Sequence, residues 1–155
     1  MKRKILFCSI GIMLFCINNL NAQMTKTQLQ TMYTSYLREQ GYQPEVDSDG
    51  DIRLKVEGRT FWIDVDEKDL KSFRIVYSNF WEIESLSEKA KVYEVANYIN
   101  RTTKVAKVYI NLRENNVSMD ANIFIEKPED FKLHFRRMVD LLLSEIREFR
   151  EKMNE

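Results

Sequence analysis

Cysteine is almost missing from this chain of 155 residues: Cys8 and Cys16 both fall within the first 16 positions. Beyond them there is no thiol nucleophile, no Cys-ligated metal and no disulfide to form. Histidine occurs once, as His134, which cannot build a two-histidine metal site and has no Ser or Cys motif with which to form a triad. Gly41, Gly50 and Gly58 stand too far apart to cradle a phosphate. With four Gly and two Pro, the sequence is neither collagen-like nor a Pro/Gly-rich disordered tract. Neither charge is in excess: 24 basic and 24 acidic groups cancel, so the electrostatic footprint of a general nucleic-acid binder is lacking. What is present is a core-forming complement, 44% hydrophobic and 12% aromatic residues, in a length that suits one domain.

The N-terminus has the layout of an export signal. Lys2, Arg3 and Lys4 make a basic start, Ile5 to Ile17 an apolar run of 13 residues, and Asn18 to Ala22 a polar stretch ending in a small residue. At about 1.5 Å per residue such a run falls short of a hydrocarbon core of ~30 Å, which disfavours a retained span. Phe7 precedes Cys8 and Phe15 precedes Cys16, where a lipidation signal needs a small residue. The expected division is a signal peptide at 1–22 and a single domain at 23–155, periplasmic or secreted, with no stable membrane insertion after cleavage. Its 133 residues carry 21 basic and 24 acidic groups, a charge of −3, and no cysteine. An exported domain without disulfides must be held by its core.

Hydrophobic period changes along the mature chain. Leu29, Met32, Tyr33, Tyr36 and Leu37 form the stripe of a helix over Thr25 to Gln40, with Gly41 as its stop. Period 2 follows in Ile52/Leu54/Val56, Phe61/Ile63/Val65 and Phe73/Ile75/Tyr77, with Asp49-Gly50 and Gly58-Arg59 as hairpin turns and Pro44 to Val46 as a short edge strand. Ser85 and Glu88 match a capping box for a second helix over Leu86 to Arg101. Two strands near Ala106 to Leu112 and Val117 to Ile125 precede a last helix that starts around Pro128 and carries Phe131, Phe135, Met138, Val139, Leu142, Ile146, Phe149 and Met153. Strands and helices do not alternate singly, so the expected class is α+β: an antiparallel sheet of five to six strands with three helices, in the order α, β meander, α, ββ, α.

Several segments, in order, resemble the YbjN-like family of small bacterial domains, labelled sensory transduction regulators. They are Leu37-Arg-Glu-Gln-Gly-Tyr42, Asp47-Ser-Asp-Gly-Asp-Ile52, Val56-Glu-Gly58 leading into Phe61-Trp-Ile-Asp-Val-Asp66, Ala96-Asn-Tyr-Ile-Asn100, Lys104-Val-Ala-Lys-Val108 and the long last helix. The resemblance implies a fold similar to class I type III secretion chaperones, commonly dimeric and binding partner polypeptides. It implies a binding or chaperone-like module rather than an enzyme, and brings no catalytic residues with it. The signal peptide departs from the familiar cytoplasmic members.

The residues that could carry chemistry read mostly as structure. Asp47, Asp49 and Asp51 could supply part of a calcium cage, but the spacing fails an EF-hand, and Asp and Gly are what a tight turn needs. Asp64, Asp66, Glu67 and Asp69 form a second acidic run at a strand end, where solvated charge is the rule. Basic residues interleaved with the apolar stripe of the last helix are broken by Asp140, Glu145 and Glu148, which argues against nucleic acid. No cofactor and no metal are expected.

The informative feature is a second face. With Ile52, Phe61, Ile75 and Ile110 on the core side, alternation puts Trp62, Val76, Tyr109 and Phe124 on the other. A helix, a second copy of the chain or a polypeptide partner must cover such a set. The expectation is an exported, non-catalytic binding module, chaperone-like or regulatory. The competing reading is a small periplasmic hydrolase that uses the clustered carboxylates. The mature protein should begin at or near Gln23; N-terminal sequencing that finds Met1 on membrane-extracted protein overturns the export signal.

Overall fold

The computed structural model describes residues 24–155, apart from 112 and 114. The expected signal peptide at 1–22 lies outside the described residues. Helix α1 (Lys26–Glu39) opens on a capping box: the Thr25 hydroxyl accepts from the Gln28 N–H at 3.3 Å, and Gln28 Oε1 accepts from the Thr25 N–H at 2.9 Å. It closes on Gly41, whose φ of +86° lets the N–H groups of Gly41 and Tyr42 reach back to the carbonyls of Arg38 and Leu37, both at 2.9 Å. Tyr42 is thereby set against Phe135, with ring centroids 5.6 Å apart.

The meander follows as β1 (Glu45–Val46), β2 (Ile52–Val56), β3 (Arg59–Ile63) and β4 (Ser72–Glu82). The β2–β3 turn falls on Glu57-Gly58, one residue earlier than expected. A type I′ two-residue hairpin needs positive φ at both central positions, and Glu57 (49°) and Gly58 (76°) supply it. Strand β4 bulges between Tyr77 and Trp81, where Tyr77 pairs with Met119 but Trp81 pairs with Val117. The extra residues place Asn79 at a φ of 53°, and its N–H donates to Ser118 Oγ at 3.0 Å.

Helix α2 (Leu86–Thr102) is capped by Ser85, whose hydroxyl accepts from the Glu88 N–H. The reciprocal half of the expected box is displaced: Glu88 accepts from the Glu84 N–H and from the Trp81 indole instead. β5 (Ala106–Asn111) and β6 (Asn116–Phe124) follow. Pro128 opens a single 3₁₀ turn to Asp130, and helix α3 (Phe131–Asn154) begins only after it. All strand pairs are antiparallel, in the order β1-β2-β3-β4-β6-β5. Among the described residues, six strands and three helices make the α+β architecture that the periods predict. None of the described helices is long and apolar enough to cross a membrane.

The helices lie together on one side of this sheet. Leu29, Tyr33 and Leu37 of α1, Val92, Val95 and Ile99 of α2, and Phe131, Phe135 and Phe149 of α3 join Ile52, Phe61, Ile75, Val108 and Met119 in one buried cluster. Fully burying each such side chain contributes about 1.5–3 kcal/mol.

β5 is a sheet edge, and α2 guards it. The Asn100 side chain donates to the Val108 carbonyl at 3.1 Å and accepts from the Val108 N–H at 2.8 Å, while Thr103 Oγ1 accepts from the Ala106 N–H. Three of the outward backbone groups that would template another strand are thus already bonded. Asn100→Ala should cost about 1–2 kcal/mol for two lost hydrogen bonds, and should bring concentration-dependent self-association. Urea melts beside sedimentation velocity check both; an unchanged monomer excludes the guarding role.

Candidate functional site

The face away from the helices is built by cross-strand pairing. Trp62 lies between Arg53 and Val76, Val76 pairs with Asp120, Asp120 with Lys107, and Tyr109 with Ser118. Val76 is buried, at 6% exposure, yet it belongs to no part of the core cluster. No described helix covers this side, so helix coverage, one of the three expected covers, does not account for it. Trp62, Val76 and Tyr109 come together around a shallow concavity of about 270 Å³ that is also lined by Asp64, Arg74 and the Asp47–Asp51 loop. Phe124 does not join them. It pairs with Ser72 at the far end of the same face and stands 90% exposed.

A guanidinium organises the concavity. Arg74 Nε and Nη2 both donate to Asp120 Oδ2, Nη1 donates to Asp64 Oδ2 at 2.8 Å, and Nη2 donates to the Tyr109 hydroxyl at 3.2 Å. Asp120 is buried, and its Oδ1 has no hydrogen-bond partner among the described residues. Burial opposes the charge on Arg74, but hydrogen bonds to Asp64 and Asp120 outweigh it and hold its pKa above the ordinary arginine value. Burial likewise raises the Tyr109 phenol; Arg74 pulls it down and Asp120 pushes it up. The arrangement fixes a ring and a charge-assisted network in place. It is suited to presenting a preorganised surface.

The carboxylates that suggested chemistry are occupied elsewhere. Asp47 Oδ1 accepts from the N–H groups of Asp49, Gly50 and Asp51, each at 3.0 Å, which makes the loop a turn held by its first side chain. Asp66 and Asp69 accept from the N–H groups of Lys68 and Lys71, and Glu67 from the N–H of Lys26 at the start of α1. Asp51 accepts from the Val65 N–H at 2.8 Å and so ties the loop to the end of β3. Among the described residues, no group of three His, Cys, Asp or Glu side chains is placed to hold a metal ion.

Sequence reasoning found the aromatics and missed Arg74 and Asp120. The alternation that puts Trp62 and Val76 on the face away from the helices puts Arg74 there too, and the parity of Phe124 extends to Asp120. Nothing in a linear pattern shows that the two meet across β4 and β6.

A family model described as "Putative bacterial sensory transduction regulator" matches residues 31–155, from within α1 to the end of α3. The chain belongs to the YbjN family. The family is described as one of regulators, and no curated protein matches the chain. An uncharacterized protein from Methanothermobacter thermautotrophicus, solved by crystallography, has a similar fold: its TM-score is 0.51 at 11% identity, over 81% of this chain and 99% of that one. At that identity the likeness speaks for the fold alone.

Asp51 offers a clean electrostatic test of this site. Burial, followed by the nearby charges of Asp64 and Asp47, raises its pKa against the Val65 hydrogen bond. A folded-state pKa above the unfolded value means that stability falls as pH rises between the two. Asp51→Asn keeps an acceptor for Val65 and removes the charge. It should therefore be at least as stable as the parent at pH 7, with the difference fading as the solution is acidified below about pH 4. Thermal melts across that range check the sign; a variant less stable at neutral pH contradicts it.

Proposed function

We propose that this YbjN-family domain is an exported, non-catalytic regulatory module that engages a polypeptide partner through its uncovered sheet face. The observation that carries the reading is the contrast between the two faces. One is sealed by three helices, while the other sets Trp62 and Tyr109 around a rigid Arg74–Asp120–Asp64 network with no helix of the described chain above it. Half-buried aromatics beside a fixed arginine are the residue types that anchor interfaces. The resemblance to type III secretion chaperones, in which a sheet and helices receive partner segments, points the same way, and the N-terminal signal supports export. Hydrolysis by clustered carboxylates finds less support, because Asp47, Asp64, Asp66 and Asp69 are each engaged by an N–H or a guanidinium.

A second copy of the chain is the other occupant that this face would suit. The mature protein and its Trp62→Ala and Tyr109→Ala variants, used as bait on the native exported fraction, test the proposal. A partner held by the parent should bind each variant roughly thirtyfold more weakly, for a loss of ~2 kcal/mol per anchor, with the folding transition nearly unchanged. Sedimentation of the same proteins alone identifies self-association. Destabilisation of a monomer by ~3–5 kcal/mol would make these rings core residues and end the interface reading.

A further inference from the structure

A separate concavity lies at the other end of the molecule, between the 102–105 loop, the end of β6 and the first half of α3, and encloses about 730 Å³. Val105, Ile123, Met138 and Leu141 give it apolar walls, and the exposed Phe124 ring extends them at the lip. This volume is within the ~300–1,000 Å³ of small-ligand sites. Its polar rim is electrostatically uneven. Lys104, His134 and Arg137 line it, and none of the three side chains has a hydrogen bond or ion pair among the described residues. Two acidic groups, Asp140 and Glu145, share this rim. Asp140 is paired with Arg136 at 3.1 Å, and burial followed by the charge of Glu148 raises Glu145, which therefore gives up its charge more readily than an ordinary carboxylate.

We infer that this groove binds a long-chain carboxylate, with its hydrocarbon chain against Val105, Ile123, Met138 and Leu141 and its head group at Arg137. The apolar walls call for a chain, and the unpaired Arg137 guanidinium calls for an anion. A guanidinium with no other partner offers a carboxylate two parallel N–H donors. A polypeptide strand is the weaker occupant, because the backbone groups it would pair with beside the groove, at Ala106 and Val108, are bonded to Thr103 and Asn100. The site is distinct from the sheet face around Trp62 and does not depend on its role.

The test uses the protein as purified from cells, with 11-(dansylamino)undecanoic acid as the fluorescent probe and palmitate, hexadecanol, acetate and hexadecyltrimethylammonium as competitors below their aggregation limits. Saturable binding at one site is expected, with displacement by palmitate at least tenfold more effective than by the alcohol, the short acid or the cation. Arg137→Glu and Leu141→Asp should each weaken the probe at least tenfold, while Trp62→Ala leaves it unchanged; circular dichroism melts confirm that each variant folds. Equal displacement by hexadecanol or by the cation, full binding by folded Arg137→Glu, or no saturable binding by the parent overturns the assignment.

Discussion

An aromatic junction sets the geometry on which both candidate surfaces depend. Tyr33 of α1, Phe73 of β4 and Phe131 at the start of α3 meet with centroid separations of 4.7 to 5.8 Å, at tilted or edge-on angles. Each ring is buried, and edge-to-face pairs of this kind add about 0.5–1.5 kcal/mol beyond the area they remove from water. The junction pins the first and last helices to the same side of the central strand. Once α1 and α3 are committed there, and α2 has crossed to reach β5, the opposite face has no described helix left to cover it. Its order must come from within the sheet, and the Arg74 network provides that order.

Periodicity made most of the fold legible, because a half-covered sheet enforces strict alternation. The pattern in Ile52–Val56 and Phe61–Ile63 reappears as alternating burial in β2 and β3. Legibility ended where the backbone departs from its repeat. The bulge at Tyr77–Trp81 has no signature beyond an asparagine, and it keeps Phe80 in the core, stacked on Tyr77 at 5.5 Å. The hairpin at Glu57-Gly58 was displaced by one residue because glutamate at positive φ is uncommon and only the pairing of Val56 with Arg59 demands it. Of the candidate surface, three residues could be read from parity alone. The separation of Phe124 from the other three could not, since parity places a residue on a face but not along it.

Some segments shared with the YbjN family gain physical meanings. Gly41-Tyr42 ends α1 and delivers a ring to Phe135. Asp47 organises the loop that Asp51 then fastens to β3. Asn100 closes the outward hydrogen-bonding groups of Val108, which makes the second helix a chaperone of the sheet's own edge. These are constraints of folding rather than of binding, which is why a match over residues 31–155 speaks more plainly about architecture than about ligand.

The pairing of Arg74 with Asp120 also bears on how the chain finds its register. β6 carries Ser118, Asp120 and Asn122 on one face and Val117, Met119 and Ala121 on the other. A slip of one residue against β4 would turn the polar set toward the helices, where a carboxylate has no cation and no water. In the native register the same carboxylate meets a guanidinium, although one of its oxygens stays unsatisfied. A buried ion pair of this kind contributes little net stability. Its consequence is discrimination: misaligned sheets carry an electrostatic error that the correct one avoids, so the arginine acts as an alignment key during assembly of the central strands.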